Sequence, residues 1–214
     1  SLFKPLMKRD KDGFATIWNT PYSQFVRSEV TFGKTWIFGR NSGQAIATSL
    51  LAGAGYAYGN SSALPFEKHF YGGGANSLRG WQARTVGPGT SARDTTFVIP
   101  NQTGDMRLEA NVEYRFDIVW KLEGAVVADA GNVWTLKQKD VAVEDGSMFR
   151  WNTLGESIAA NWGLGLRLNL DFLLLRIDAG FEVHDPARTN KWVGPDQWFR
   201  RNGYAIHFGV GYPF

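Results

Sequence analysis

From Arg107 to Phe116 the chain alternates without a break. Arg107, Glu109, Asn111, Glu113 and Arg115 fall on one face, and Leu108, Ala110, Val112, Tyr114 and Phe116 on the other. Successive side chains of a strand point to opposite sides, so this period of two predicts a β-strand separating two unlike surroundings and excludes a helix. The pattern returns further on. Trp162, Leu164, Leu166, Leu168 and Leu170 oppose Asn161, Gly163, Gly165, Arg167 and Asn169. Leu175, Ile177, Ala179, Phe181 and Val183 oppose Arg176, Asp178, Gly180, Glu182 and His184. Weaker alternation marks strands from Tyr22 to Trp36, Ala45 to Gly59 and Val119 to Trp134. In the last strand Tyr204, Ile206, Phe208, Val210, Tyr212 and Phe214 share the apolar face.

The expected architecture is all-β, about seven antiparallel strands. Short connections near residues 40, 118 and 171 alternate with long ones at 60–103, 135–157 and 185–200. Residues 1–21 are charged and irregular and read as a loop. The chain thus divides into strands over 22–59, a long loop over 60–103, and the remaining strands over 104–214.

Alternation alone also suits a soluble sandwich, with one face wet and one dry. Three features favour a transmembrane barrel instead. Short turns on one side and long loops on the other are a habit of outer-membrane barrels. The polar faces mix glycine with bulky charges, as a polar lumen does. The apolar faces carry aromatics near strand ends, as interfacial girdles do, and the sequence holds nine Trp and 25 Gly. Net charge of +3 from 23 basic and 20 acidic residues gives no reason to expect a nucleic-acid partner. The absence of cysteine excludes disulfides and cysteine metal sites. No run approaches the roughly 18 apolar residues of a spanning helix, and Ser1-Leu2-Phe3-Lys4-Pro5 is not a signal peptide. In lipid every backbone group must pair within the protein, which requires a closed barrel, and single-chain bacterial barrels have even strand numbers. Seven strands therefore predict the C-terminal part of a larger barrel.

One stretch stands outside the alternation. Tyr71 to Trp81 reads Y-G-G-G-A-N-S-L-R-G-W. Glycine clusters permit positive φ and close packing, and an arginine fixed among them predicts a loop tip that docks at one place. Together with Phe70 the stretch resembles the G-G-x-x-S-hydrophobic-R-G-aromatic signature of the BamA/TamA outer-membrane assembly family, carried here by Gly72, Gly73, Gly74, Ser77, Leu78, Arg79, Gly80 and Trp81. Two further stretches resemble family strands in the same order: Gly104–Phe116, with its acidic polar face, and Val127-Ala128-Asp129-Ala130-Gly131-Asn132-Val133-Trp134. The ending is similar to the β-signal of outer-membrane proteins through His207, Gly209, Tyr212 and Phe214. The wording G-W-Q-A-R-T-V-G-P-G and G-Y-P-F is most similar to the TamA-like lipoprotein branch of Bacteroidetes.

The resemblance implies a barrel of sixteen strands when complete, in the outer membrane of a Gram-negative bacterium. It implies a loop folded into the lumen as a plug, and an N-terminal barrel half and POTRA domains outside this sequence. Implied partners are client outer-membrane proteins, TamB-like or accessory lipoproteins, and outer-membrane lipid, with no cofactor and no nucleic acid. Arg79 is expected to reach lumen carboxylates, Glu113 and Asp129 foremost and Glu109 third; alternation places all three on the polar face independently. The implied function is assembly or translocation of outer-membrane proteins through a barrel with a lateral seam. A two-partner-secretion type translocation pore carries the same plug motif and is the other reading. Gly203, Gly209 and Gly211 in the last strand suit either a weak seam for client strands or curvature at barrel closure. No enzyme is expected: His69, His184 and His207 lie in different elements without metal-ligand spacing, and no serine is placed as a nucleophile.

Overall fold

The computed structural model describes residues 8–9, 15–17, 20–39, 43–92, 102–136, 144–200 and 202–214. The long strands pair in sequence order as one seven-stranded antiparallel sheet. They are β4 (Phe25–Phe38), β5 (Gln44–Ala57), β6 (Met106–Val119), β7 (Leu122–Trp134), β8 (Ala159–Asn169), β9 (Leu174–His184) and β10 (Tyr204–Val210). Strands of 11 to 14 residues from β4 to β9 exceed the roughly 9–11 needed to cross a hydrocarbon layer. Short turns lie at one end and the three long connections at the other. Among the described residues β4 and β10 are the two edges.

The alternating residues divide as their chemistry requires. On β6, Glu109, Asn111, Glu113 and Arg115 are buried on the polar face, while Val112 is exposed on the other. Leu164 and Leu166 on β8, Ile177 on β9 and Phe208 on β10 are likewise open on the apolar face. An exposed apolar face opposite a buried charged one inverts the order of a water-soluble sheet. Residues 70–91 lie on the polar face and contribute the buried cluster Leu78, Trp81 and Val86 with Ala159 of β8.

Two expectations are corrected. The first 21 residues include a small three-stranded antiparallel sheet of β1 (Lys8–Arg9), β2 (Ala15–Ile17) and β3 (Thr20–Pro21). Asn60 pins it: its Oδ1 accepts from Ala15 N at 2.8 Å and its Nδ2 donates to Ala15 O at 2.5 Å. Strands of two or three residues are too short to show a period. The second correction concerns the last strand, which stops at Val210 instead of running to Phe214. Gly211 takes φ 79°, which breaks the alternation and turns Tyr212 and Phe214 from the apolar face to the polar one. The Tyr212 ring lies 4.1 Å from the Arg115 guanidinium, and the Phe214 ring 5.7 Å from that of Arg79.

Candidate functional site

The glycine-rich segment folds back on itself before it meets the sheet. Gly72 bridges Val86, Arg84 N donates to Gly72 O at 3.0 Å, and Gly74 N donates to Trp81 O at 2.9 Å. Gly73 and Gly74 make the turn at φ 90° and 106°, where an L side chain would be strained. Ser77 fixes the tip from both sides, its Oγ accepting from Gly73 N at 3.0 Å and donating to Glu109 Oε1 at 2.6 Å. Leu78 and Trp81 then bury their side chains, worth about 1.5–3 kcal/mol for a residue like Leu78. That burial brings Arg79 to the wall.

Arg79 is fully buried. Its Nε donates to Asp129 Oδ2 at 3.0 Å and its Nη2 to Asp129 Oδ1 at 2.6 Å, a two-pronged pairing of fork and carboxylate. Its Nη1 donates to Glu113 Oε2 at 2.5 Å, and its own amide donates to Asp129 Oδ2 at 3.1 Å. Burial pulls the guanidinium pKa down, but the hydrogen bonds to Asp129 and the charges of Asp129 and Glu113 outweigh it and hold Arg79 above the ordinary arginine range. The pair is thus buried, with each guanidinium nitrogen donating to a carboxylate, the condition under which removing one partner is costly.

The seat is built by strand register. Asn111, Asp129 and Asn161 stand side by side across β6, β7 and β8. Both flanking amides donate to Asp129, from Asn111 at 3.0 Å and from Asn161 at 2.9 Å. The next row toward the short turns reads Glu113, Val127, Gly163 and Gly180. Its glycine end forms a notch for the loop backbone: a Cβ on Gly180 would come 2.6 Å from Gly80 N. Gly80 meets the wall equally closely, since a Cβ there would lie 2.7 Å from that of Asn161.

Around the seat the charges form one connected network. Glu113 Oε1 accepts from Arg115 Nε at 2.8 Å and from Arg167 Nη2 at 3.0 Å. Arg167 pairs with Asp178 at 2.7 Å, and Asp178 with Arg176 at 2.8 Å. Arg176 returns to the loop, donating to Ala75 O at 2.9 Å and to Asn76 Oδ1. His207 Nε2 lies 3.1 Å from Arg79 O; a carbonyl only accepts, so the imidazole carries its proton on Nε2. Burial and the hydrogen bond from Tyr212 to Glu123 push the Tyr212 hydroxyl up to about 12.

The structure places Arg79, Glu113 and Asp129 together in one cluster, with Glu109 one step away, bound to Ser77 and to Arg107 at 2.7 Å. His207, Tyr212 and Phe214 come to this cluster as well. Sequence reasoning did not single out Asn111, Asn161, Arg115, Arg167, Arg176, Asp178 or Gly180 as parts of the site. Their parity was readable; which of them met the loop depended on register.

A model of the Omp85 superfamily domain matches residues 18–214. Among curated proteins, the outer membrane protein assembly factor BamA of Neisseria meningitidis serogroup B (strain MC58) is 28% identical over 125 residues, which make up 56% of this chain and 15% of that protein. Among solved structures, the crystal structure of BamA from Haemophilus ducreyi lacking POTRA domains 1–3 aligns with a TM-score of 0.62 at 15% identity, covering 92% of this chain and 36% of that one. The chain spans less than half the length of either.

Proposed function

Because the chain belongs to the Omp85 superfamily, we propose that it is the C-terminal part of an outer-membrane barrel that assembles or translocates outer-membrane proteins. In this reading residues 60–103 are the plug loop and the seven strands continue into an N-terminal barrel half, sixteen strands in all, preceded by POTRA domains. Client outer-membrane proteins and membrane lipid are its partners. The work is done without cofactor: strand pairing and lipid burial of the client supply the free energy. The observation that carries the reading is the buried contact of Arg79 with Asp129 and Glu113, which fixes a glycine-rich tip against the sheet's polar face. A loop tip seated through a buried ion pair needs that pair broken for release, and a gate needs such a seated and a released state.

The test is depletion and replacement in the native host. Depletion should lower many outer-membrane proteins together, and the Arg79→Ala form should fail to restore them. Loss of a single secreted protein would instead identify a two-partner-secretion pore. Full complementation by Arg79→Ala would refute the latch.

A further inference from the structure

The motif of the last strand has a second face. His207, Gly209, Tyr212 and Phe214 each touch an arginine of the buried network or its loop. His207 donates to Arg79 O at 3.1 Å. Gly209 lies against Arg176, where a Cβ would meet Nε at 2.5 Å. Tyr212 covers Arg115 at 4.1 Å and donates to Glu123 Oε2 at 3.0 Å. Phe214 stands 5.7 Å from the Arg79 guanidinium. The network joins Arg79, Arg115, Arg167 and Arg176 to Glu113, Asp129 and Asp178, and Arg115 also donates to Phe214 O at 3.5 Å. Aromatic faces shield a buried cation without adding charge, and the chain end sets one over each of two of these guanidinium groups.

β10 is also the shortest strand of the sheet, seven residues against eleven in β9, and its other edge is unpaired among the described residues. We propose that His207, Gly209, Tyr212 and Phe214 are positioning residues that tie edge strand β10 to the Arg79 loop, so that β10 cannot leave its place without loosening the loop. The inference rests on the reading of Arg79 as a latch. It makes the coupling reciprocal: a loosened loop weakens β10 by the same free energy.

The experiment is amide hydrogen exchange on the full-length protein in lipid vesicles, following residues 74–81 and 204–210. His207→Leu and Phe214→Ala should each speed exchange at 74–81 by about 5- to 30-fold, the factor for one or two kcal/mol. His207→Gln, which keeps a donor, should restore the parent rate. Phe208→Ala, on the open apolar face of the same strand, should leave 74–81 unchanged. The proposal is overturned if the first two variants speed exchange only at 204–210, or if Phe208→Ala frees the loop equally. Arg79→Ala separates the two readings. If it leaves 74–81 at the parent rate, the latch itself fails; if it frees them while the His207 and Phe214 variants do not, only the coupling fails.

Discussion

Arg79 and Asp129 meet through both prongs of a planar fork, at 3.0 and 2.6 Å, while the Arg79 amide closes on the same carboxylate at 3.1 Å. The side chain and the backbone of one loop residue are read by one aspartate. A lysine has no fork and would keep the charge while losing the geometry.

Arg79→Lys is therefore expected to behave closer to Arg79→Ala than to the parent. Arg79→Ala should cost about 3–5 kcal/mol, the range for breaking a buried ion pair. The measurement is the temperature at which the folded band is lost on a heat-modifiability gel, with protease nicking near Ala75 as a second readout. A lysine variant as stable as the parent would mean that charge alone holds the loop.

Asp129 and Glu113 differ in what Arg79 leaves behind. Without the Arg79 side chain, Glu113 keeps the cations Arg115 and Arg167, but Asp129 keeps only neutral donors, the Asn111 and Asn161 amides and the backbone N–H of residue 79. Asp129→Asn should thus partly rescue Arg79→Ala, and Glu113→Gln should not. A double-mutant cycle on unfolding free energy should give a coupling of about 0.5–3 kcal/mol between Arg79 and Asp129.

Gly180→Ala tests the notch. The added methyl meets the Arg79–Gly80 backbone and should lift the loop, at about 1–3 kcal/mol for overpacking. Gly155→Ala, with nothing near its Cβ, is the matched control. Equal melting temperatures for the two variants would show that the loop does not need the notch.

The faces are tested by Leu166→Arg. On a lipid face it should cost up to about 2–4 kcal/mol, the range for an arginine at the bilayer midplane, read as unfolding free energy in vesicles. In a soluble sheet an arginine at a half-exposed site would be nearly neutral.

Much of this was legible from parity. The alternation from Arg107 to Phe116 put Glu113 on the polar face, and that around Val126 and Ala128 put Asp129 there, because a strand presents every second residue to one side. Parity does not state register. That Asn111 and Asn161 flank Asp129, or that Gly180 lies under Gly80, depends on how far neighbouring strands slide, which the short turns fix and no single strand reveals. The ending misled for another reason. Tyr212 and Phe214 continue the apolar period of β10, but Gly211 at φ 79° reverses their side, and a glycine's φ is not written in its neighbours. Residues 93–101, near the end of the expected 60–103 loop, lie outside the described residues.

The Asn111–Asp129–Asn161 row also sets an order of events. Three strands must zip in register before that row exists, and a slip of one residue would turn its members toward the opposite face. A mis-zipped sheet therefore offers Arg79 no carboxylate to close on. Docking of the tip inspects the pairing of β6, β7 and β8 and locks only the correct one, so in pulse-labelled refolding the amides of 74–81 gain protection after those of the strands.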